Sequence, residues 1–266
     1  ERAELEVAAG RRPVVVTRGY HSEKTEEPLL LAPGQVTRVP SVETASIARR
    51  FGDEAALIAW RVPGCAVAKG RDRVAAARAA IREFGCDVVL LDDGYQYVRL
   101  ARDENVLLVD ASCPLERARV FPAGYLREPL AAAARATSVM LTRCDQADDL
   151  GAVEATARRI CPGAPVRRTC HQPVELISLE DGVIVGLDFL RGKEVIALCG
   201  VARPKAFIQT LVGLGATVGQ SIVLRDHAQP EVPFERGGMP LIMTEKDAVK
   251  LTEPLESAYA LRISVS

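Results

Sequence analysis

The chain has 266 residues, of which 48% are hydrophobic and 26% charged, and a formal net charge of −1. That length buries a sizeable core as one large α/β domain or two modest ones, and so even a charge argues against nucleic-acid binding, which rewards a clear basic excess. Seven scattered cysteines with no C-x-x-C pair argue against a zinc site or disulfide framework and for reduced thiols in the core, while no run approaches the roughly 18 to 20 apolar residues that span a bilayer.

Residues 1–10 read as the end of a helix stopped by Gly10, ahead of a strand at 14–17. After a loop, Ser41 is a sound N-cap with Glu43 in the following first turn. A second helical stretch, 54–61, follows Gly52-Asp53. In the next one, 72–84, Val74, Ala77, Ile81 and Phe84 recur at helical spacing on one face, and Gly85 ends it. The run Val88-Val89-Leu90-Leu91 is short and uniformly apolar, which predicts a strand buried on both faces of a parallel sheet. Strands at 106–109 and 138–141 follow, and the alanine-rich stretch 131–136 predicts helix. Strands separated by helices imply parallel βαβ units with right-handed crossovers.

The pattern changes after Pro173. Strands at 174–178 and 183–187 flank Glu180-Asp181-Gly182, a hairpin signal. A new α/β pattern has strands at 195–198, 217–223, 240–243 and 259–263 and a helix at 204–214. The predicted architecture is α/β: a parallel sheet with flanking helices in a core lobe, 1–171, a two-stranded connector, 172–190, and a smaller α/β lobe, 191–266.

Chemistry concentrates where these strands end. Asp92 and Asp93 close the apolar run at its carboxyl end, where open α/β sheets place ligands. Adjacent acids there are costly without a positive partner and suit a Mg²⁺ ion carrying a nucleotide phosphate; capping the following turn is the plainer alternative. In Phe121-Pro122-Ala123-Gly124-Tyr125-Leu126-Arg127-Glu128-Pro129, Arg127 either meets an anionic group bidentately or pairs with Glu128 at the surface. Arg18 follows the strand at 14–17, and Arg71 and Arg73 open a helix, where a cation opposes the macrodipole and hints at a nearby anion; a solvated turn is the simpler role for each. His227 follows Asp226 in a loop, a position more often structural than catalytic, and His21 and His171 carry no assignment. Thr244 caps a helix with Asp247 three residues on, from which Lys246 would reach a phosphate.

Taken in order, Thr17-Arg18-Gly19-Tyr20, Gly52-Asp53-Glu54, residues 71–76, Asp92-Asp93-Gly94 with Gln96, Leu100-Ala101-Arg102-Asp103, Pro122-Ala123-Gly124 with 126–129, Asp226-His227 and 244–250 resemble the tetraacyldisaccharide 4′-kinase family of lipid A synthesis, over nearly the whole chain. The resemblance implies a P-loop kinase at the cytoplasmic face of the bacterial inner membrane. It would use ATP and Mg²⁺ to phosphorylate the 4′-hydroxyl of a tetraacylated glucosamine disaccharide 1-phosphate, with that lipid and the membrane surface as partners and no nucleic acid or protein partner. Carried across by motif, Asp53 and His227 are the pair that activates the hydroxyl. Asp92 and Asp93 hold the metal at the Walker-B-like position, Gln96, Arg18 and Lys246 join them at the nucleotide, and Arg71 and Arg127 meet the lipid substrate.

Some positions depart from the family pattern. No G-x-x-x-x-G-K-[ST] phosphate loop occurs in the 266 residues, and Gly192-Lys193 lacks the following Ser or Thr. The expectation is that this loop, with the family's membrane-seeking helix, lies ahead of Glu1. Tyr97 stands where the family has histidine, His21-Ser22 replace glycines, and Ala55 replaces proline. The competing functions are a non-catalytic remnant that binds a glycolipid or nucleotide, and another P-loop kinase or GTPase with a soluble substrate.

Overall fold

In the computed structural model, which describes every residue except 21, 114, 116, 117 and 234, the apolar runs become strands of three sheets shared between two units. His21 therefore lies outside the described residues. The first unit comprises residues 1–92 and 173–263, the second 93–172 and 264–266.

The first unit opens with α1 (Arg2–Ala8), β1 (Pro13–Thr17), β2 (Leu29–Leu31), α2 (Val42–Phe51), α3 (Asp53–Arg61), β3 (Ala66–Lys69), α4 (Arg73–Phe84) and β4 (Val88–Leu91). Its four-stranded sheet has the order β2-β3-β1-β4. β1 runs parallel to β3 and β4, while β2 is antiparallel to β3. Every residue of β1 is buried, because α4 covers one face through Ala76, Ala77 and Ala80 and α1 covers the other through Ala3. β4 corrects the sequence expectation. It is the last strand in the order and all four of its residues are half-buried, so a uniformly apolar run here marks an edge strand rather than an interior one.

The second unit holds β5 (Val106–Asp110), a 3₁₀ helix (Leu130–Arg135), β6 (Ser138–Thr142), α5 (Leu150–Ile160) and β7 (Val166–Arg168). Its three strands are parallel in the order β5-β6-β7. Val139 and Leu141 of β6 pack with Val153 and Ala157 of α5. The alanine-rich segment forms a 3₁₀ helix rather than an α-helix, since six residues between Pro129 and Ala136 leave little to repay α-helix nucleation.

The chain then returns to the first unit with β8 (His171–Ser178), β9 (Ile184–Val185), β10 (Glu194–Cys199), α6 (Pro204–Gly213), β11 (Thr217–Val223), β12 (Leu241–Thr244), α7 (Glu245–Ala248) and β13 (Ala258–Val265). These strands form a six-stranded sheet in the order β11-β10-β12-β13-β8-β9. β10 is parallel to β11 and β12, β12 is parallel to β13, and β8 and β9 make an antiparallel hairpin. Here the apolar runs are buried on both faces. Ile196, Leu198, Leu241 and Met243 join Phe51 of α2 and Trp60 of α3 in one core. Their neighbours Val195, Ala197 and Ile242 face Phe207 and Leu211 of α6 in another, the period-2 alternation of a strand. α3 also shares its core with Val67 of β3 and Leu31 of β2. Both sheets of the unit therefore fix the axis of the helix that begins at Asp53.

A buried lysine ties the loop after β1 to this frame. Lys69 donates to the backbone carbonyls of Glu23 and Arg50, and burial pulls its pKa below the ordinary lysine value. Gly19 has φ 69° and packs on that side chain, where an added Cβ would lie 2.5 Å from Lys69 Cε. Because both carbonyls hold the amine, the methylenes have little freedom to retreat. Gly19→Ala is expected to destabilise the chain by about 1–3 kcal/mol, read from urea unfolding followed by the fluorescence of Trp60, the single tryptophan. An unchanged midpoint would show that the lysine yields freely.

Candidate active site

Two helices meet without a linker at Gly52, whose φ of 104° lies where L side chains rarely sit. Its N–H still bonds to Ala48 O at the end of α2, and its carbonyl accepts the Ala56 N–H that starts α3. Asp53 thus becomes the first residue of α3, with its side chain only 7% exposed. Its Oδ1 accepts the Glu54 N–H at 3.0 Å, and the helix N-terminus favours its negative charge. The other oxygen, Oδ2, accepts a hydrogen bond from His227 Nδ1 at 2.9 Å.

His227 is placed by its own strained backbone. Its φ is 63°, and its N–H donates to Asp226 Oδ1 at 3.1 Å. Asp226 in turn accepts from Lys246 Nζ at 2.9 Å, and the same ammonium stands 3.7 Å from Asp53 Oδ2. The ring of Tyr20 meets the imidazole edge-on, with centroids 6.1 Å apart. Burial opposes the Lys246 charge, but the Asp226 hydrogen bond and the charges of Asp53, Asp226 and Glu54 raise its pKa above 10.5. Asp226 responds in kind. Partial burial works to raise its pKa, and Lys246 and His227 outweigh that and hold it below 3.8. Burial of its carboxyl, with the charge of Asp92 and then Asp53, lifts Glu54 above 4.5 despite Lys246 and His227.

The short helix α7 supplies most of the framework. Thr244 caps it by accepting the Asp247 N–H at 3.2 Å. Glu245, buried, is held by Arg61 of α3 and by Arg262 Nε at 3.1 Å, and Arg262 also reaches Glu175 at 2.8 Å. Lys246, next in line, points at Asp53 and Asp226. An Asp–His pair so braced is able to take a proton from an alcohol and keep the carboxylate oriented while it does so.

The structure brings Asp53, His227 and Lys246 together. Asp92, half-buried at the end of β4, accepts the Thr17 hydroxyl at 3.1 Å, while its own N–H bonds Val16 O at 3.0 Å. Arg18 and Arg71 are exposed, and the cap of α4 beside Arg71 is Asp72, which accepts from Val74 and Ala75. In the second unit Asp93, at φ 47°, is ion-paired with Arg127. Gln96 donates to Glu128 at 2.8 Å, and Glu128 also pairs with Arg135. The surface pairing of Arg127 with Glu128 is therefore corrected: each has a different partner, because the loop turns consecutive side chains apart. Sequence reasoning missed Thr17, Glu54 and Asp226 as site residues, although each is adjacent to one that was named.

The profile of the LpxK family, tetraacyldisaccharide-1-P 4′-kinase, matches residues 3–266. The tetraacyldisaccharide 4′-kinase of Anaeromyxobacter sp. (strain Fw109-5) is 39% identical over 254 residues, covering 92% of this chain and 66% of that protein. That of Anaeromyxobacter dehalogenans (strain 2CP-C) is 36% identical over 283 residues, 99% of this chain and 71% of that protein. The chain thus spans about two thirds of the length of these curated relatives. The crystal structure of "apo" form LpxK from Aquifex aeolicus in complex with ATP has a TM-score of 0.80 and 27% identity, covering 100% of this chain and 78% of that one. By profile, sequence and structure together, this chain belongs to the tetraacyldisaccharide-1-P 4′-kinase family.

Proposed function

We propose that this chain supplies the acceptor- and metal-binding parts for transfer of the γ-phosphate of ATP to the 4′-hydroxyl of a tetraacylated glucosamine disaccharide 1-phosphate, the lipid A step for which its family is named, and that without a phosphate loop the 266 residues are a poor kinase. The observation that carries the proposal is the 2.9 Å contact between buried Asp53 and His227. Asp53 is the base. It takes the hydroxyl proton as the new O–P bond forms and the bond to the departing ADP breaks. His227 holds the other side of the carboxylate, and Lys246 offsets the charge and stands ready to exchange Asp226 for a phosphate oxygen. Binding of ATP by the Aquifex relative supports the choice of donor.

Asp92 and Asp93 fit a Mg²⁺ ion of the kind that phosphates and waters largely coordinate. Both are hard oxygen donors, of which Asp92 accepts the Thr17 hydroxyl and Asp93 is ion-paired with Arg127, so the ion would share Asp92 with Thr17 and displace Arg127 from Asp93. When bound, the ion would neutralise charge developing on the phosphates. Gln96 and Arg18 complete the proposed nucleotide contacts, and Arg71 and Arg127 those of the acylated disaccharide. The fold assigned with this activity is a P-loop-kinase-like core lobe, 1–171, a connector, 172–190, and a smaller lobe, 191–266. The proposed location is peripheral, at the cytoplasmic face of the inner membrane; among the described residues no helix is long and apolar enough to cross it.

The 266 residues contain no phosphate-loop motif, so the direct assay joins a segment carrying G-x-x-x-x-G-K-[ST] ahead of residue 1, where the family resemblance expects it. The joined protein should phosphorylate the lipid disaccharide with ATP. A folded protein that does not, or that prefers soluble acceptors, overturns the proposal. In it, Asp53→Asn and His227→Ala should each lower kcat by about 10²–10⁴ and leave KM for ATP close to its starting value. Unaltered turnover in either would remove that residue from the chemistry.

The Lys246–Asp226 pair also predicts a pH dependence of stability. The depressed pKa of Asp226 contributes stability that is present above 3.8 and lost as pH falls through the lower folded value. The raised pKa of Lys246 contributes below 10.5 and is lost above the folded value. Lys246→Met should therefore cost about 0.5 kcal/mol at neutral pH, a small figure because Asp226 is nearly half exposed and screened. The deficit should shrink as the medium is acidified below 3.8. Urea unfolding at both pH values decides it: a deficit that persists in acid contradicts this origin.

A further inference from the structure

Two buried side chains, Asp247 and Lys250, lie on and just beyond α7, the helix that carries Lys246. Asp247, fully buried in α7, accepts the Gly200 N–H at 2.8 Å and the Thr244 hydroxyl at 2.6 Å. Gly200 follows the end of β10 directly, and a Cβ there would lie 3.0 Å from Asp247 Oδ1, so the carboxylate is pinned against backbone. That oxygen lies 2.8 Å from Nζ of Lys250, whose side chain is 6% exposed. The ammonium also donates to Ala228 O at 2.6 Å, and Lys250 O accepts from Gln229 Nε2 at 2.6 Å. Ala228 and Gln229 are the two residues after His227.

We propose that Asp247 and Lys250 are positioning residues that tether the His227 loop to the sheet and so set the imidazole against Asp53. Three features require such a tether. His227 sits at φ 63°, a conformation a non-glycine residue keeps only when its surroundings over-determine it. Among the described residues, the stretch from β11 to β12 holds no helix or strand of its own, and next to His227 its backbone is closed by a single turn bond, Ala228 N–H to Arg225 O at 3.0 Å. Finally, a buried ion pair is an expensive way to gain stability, and here the lysine also donates to a loop carbonyl. The path runs from Gly200 at the end of β10 through Asp247 and Lys250 to Ala228, one residue beyond the imidazole.

The inference rests on the kinase assignment for its catalytic meaning, and the test separates the two. In the 266-residue chain, the His227 imidazole resonances, assigned by their loss in His227→Gln, are compared among variants. Lys250→Met and the neutral pair Asp247→Asn/Lys250→Met, which keeps packing if the single change unfolds, should both displace them. Gln229→Ala, at an exposed position, should move them in the same direction by less. Lys250→Arg, which still reaches Ala228 O, should return them toward the starting positions. In the loop-restored protein, Lys250→Met should lower kcat by about 10²-fold, leave KM for ATP unaltered, and regain most of the loss as Lys250→Arg. Resonances unmoved in folded Lys250→Met or in the neutral pair, or unmoved in Gln229→Ala, overturn the tether. A loop-restored parent that is inactive while these resonances move overturns the kinase assignment alone.

Discussion

A carboxylate shut away from water must be given partners, and the site is organised around meeting that requirement at Asp53. Its side chain is 7% exposed, and burying an unpaired charge costs far more than a single interaction returns. The helix start, the Glu54 N–H, the His227 imidazole and the Lys246 ammonium together satisfy it. For the base proposed above the same arrangement matters, because a carboxylate already desolvated and oriented has little left to reorganise on receiving a proton.

The supports converge on α7, a helix of four residues. Its members alternate in direction: Glu245 reaches inward to Arg61 of α3, Lys246 toward the Asp–His pair, and Asp247 back toward β10. α3 carries Asp53 at one end and Arg61 at the other, so the salt bridge to Glu245 links the helix bearing Asp53 to the helix bearing Lys246, the ammonium beside it. Breaking such a pair by removing one partner leaves the other buried and uncompensated. One short segment thereby couples local stability to site geometry.

Much of this was legible in the chain itself. Ser41, Thr244 and Gly85 act as the caps their residue types predict, because capping is settled by a few adjacent atoms. The strands at 217–223 and 195–198 emerge close to their expected bounds, the second as an apolar run buried on both faces and the first as a largely exposed strand at the end of the sheet order. β2, β3, β7 and α5 were not foreseen: α5 carries a legible face, Leu150, Val153, Ala157 and Ile160 at helical spacing, that was passed over, whereas the other three are strands of only three or four residues. The burial of β4 was misjudged for a related reason, as an apolar run states what a strand tolerates and not which neighbours it receives.

The sequence alone determined most of the longer elements, the family resemblance and the identity of Asp53 and His227 as residues to watch, because propensity, capping and motif order act between near neighbours along the chain. Only the tertiary structure decided that His227 Nδ1 comes within 2.9 Å of a carboxylate 174 positions away, that Lys246 turns to Asp226, that Arg127 leaves Glu128 for Asp93, and that Lys250 reaches back to Ala228. Those contacts depend on how two sheets clasp α3 and on where the loop carrying His227 is tied down, and long-range packing of that kind has no local signature in the order of residues.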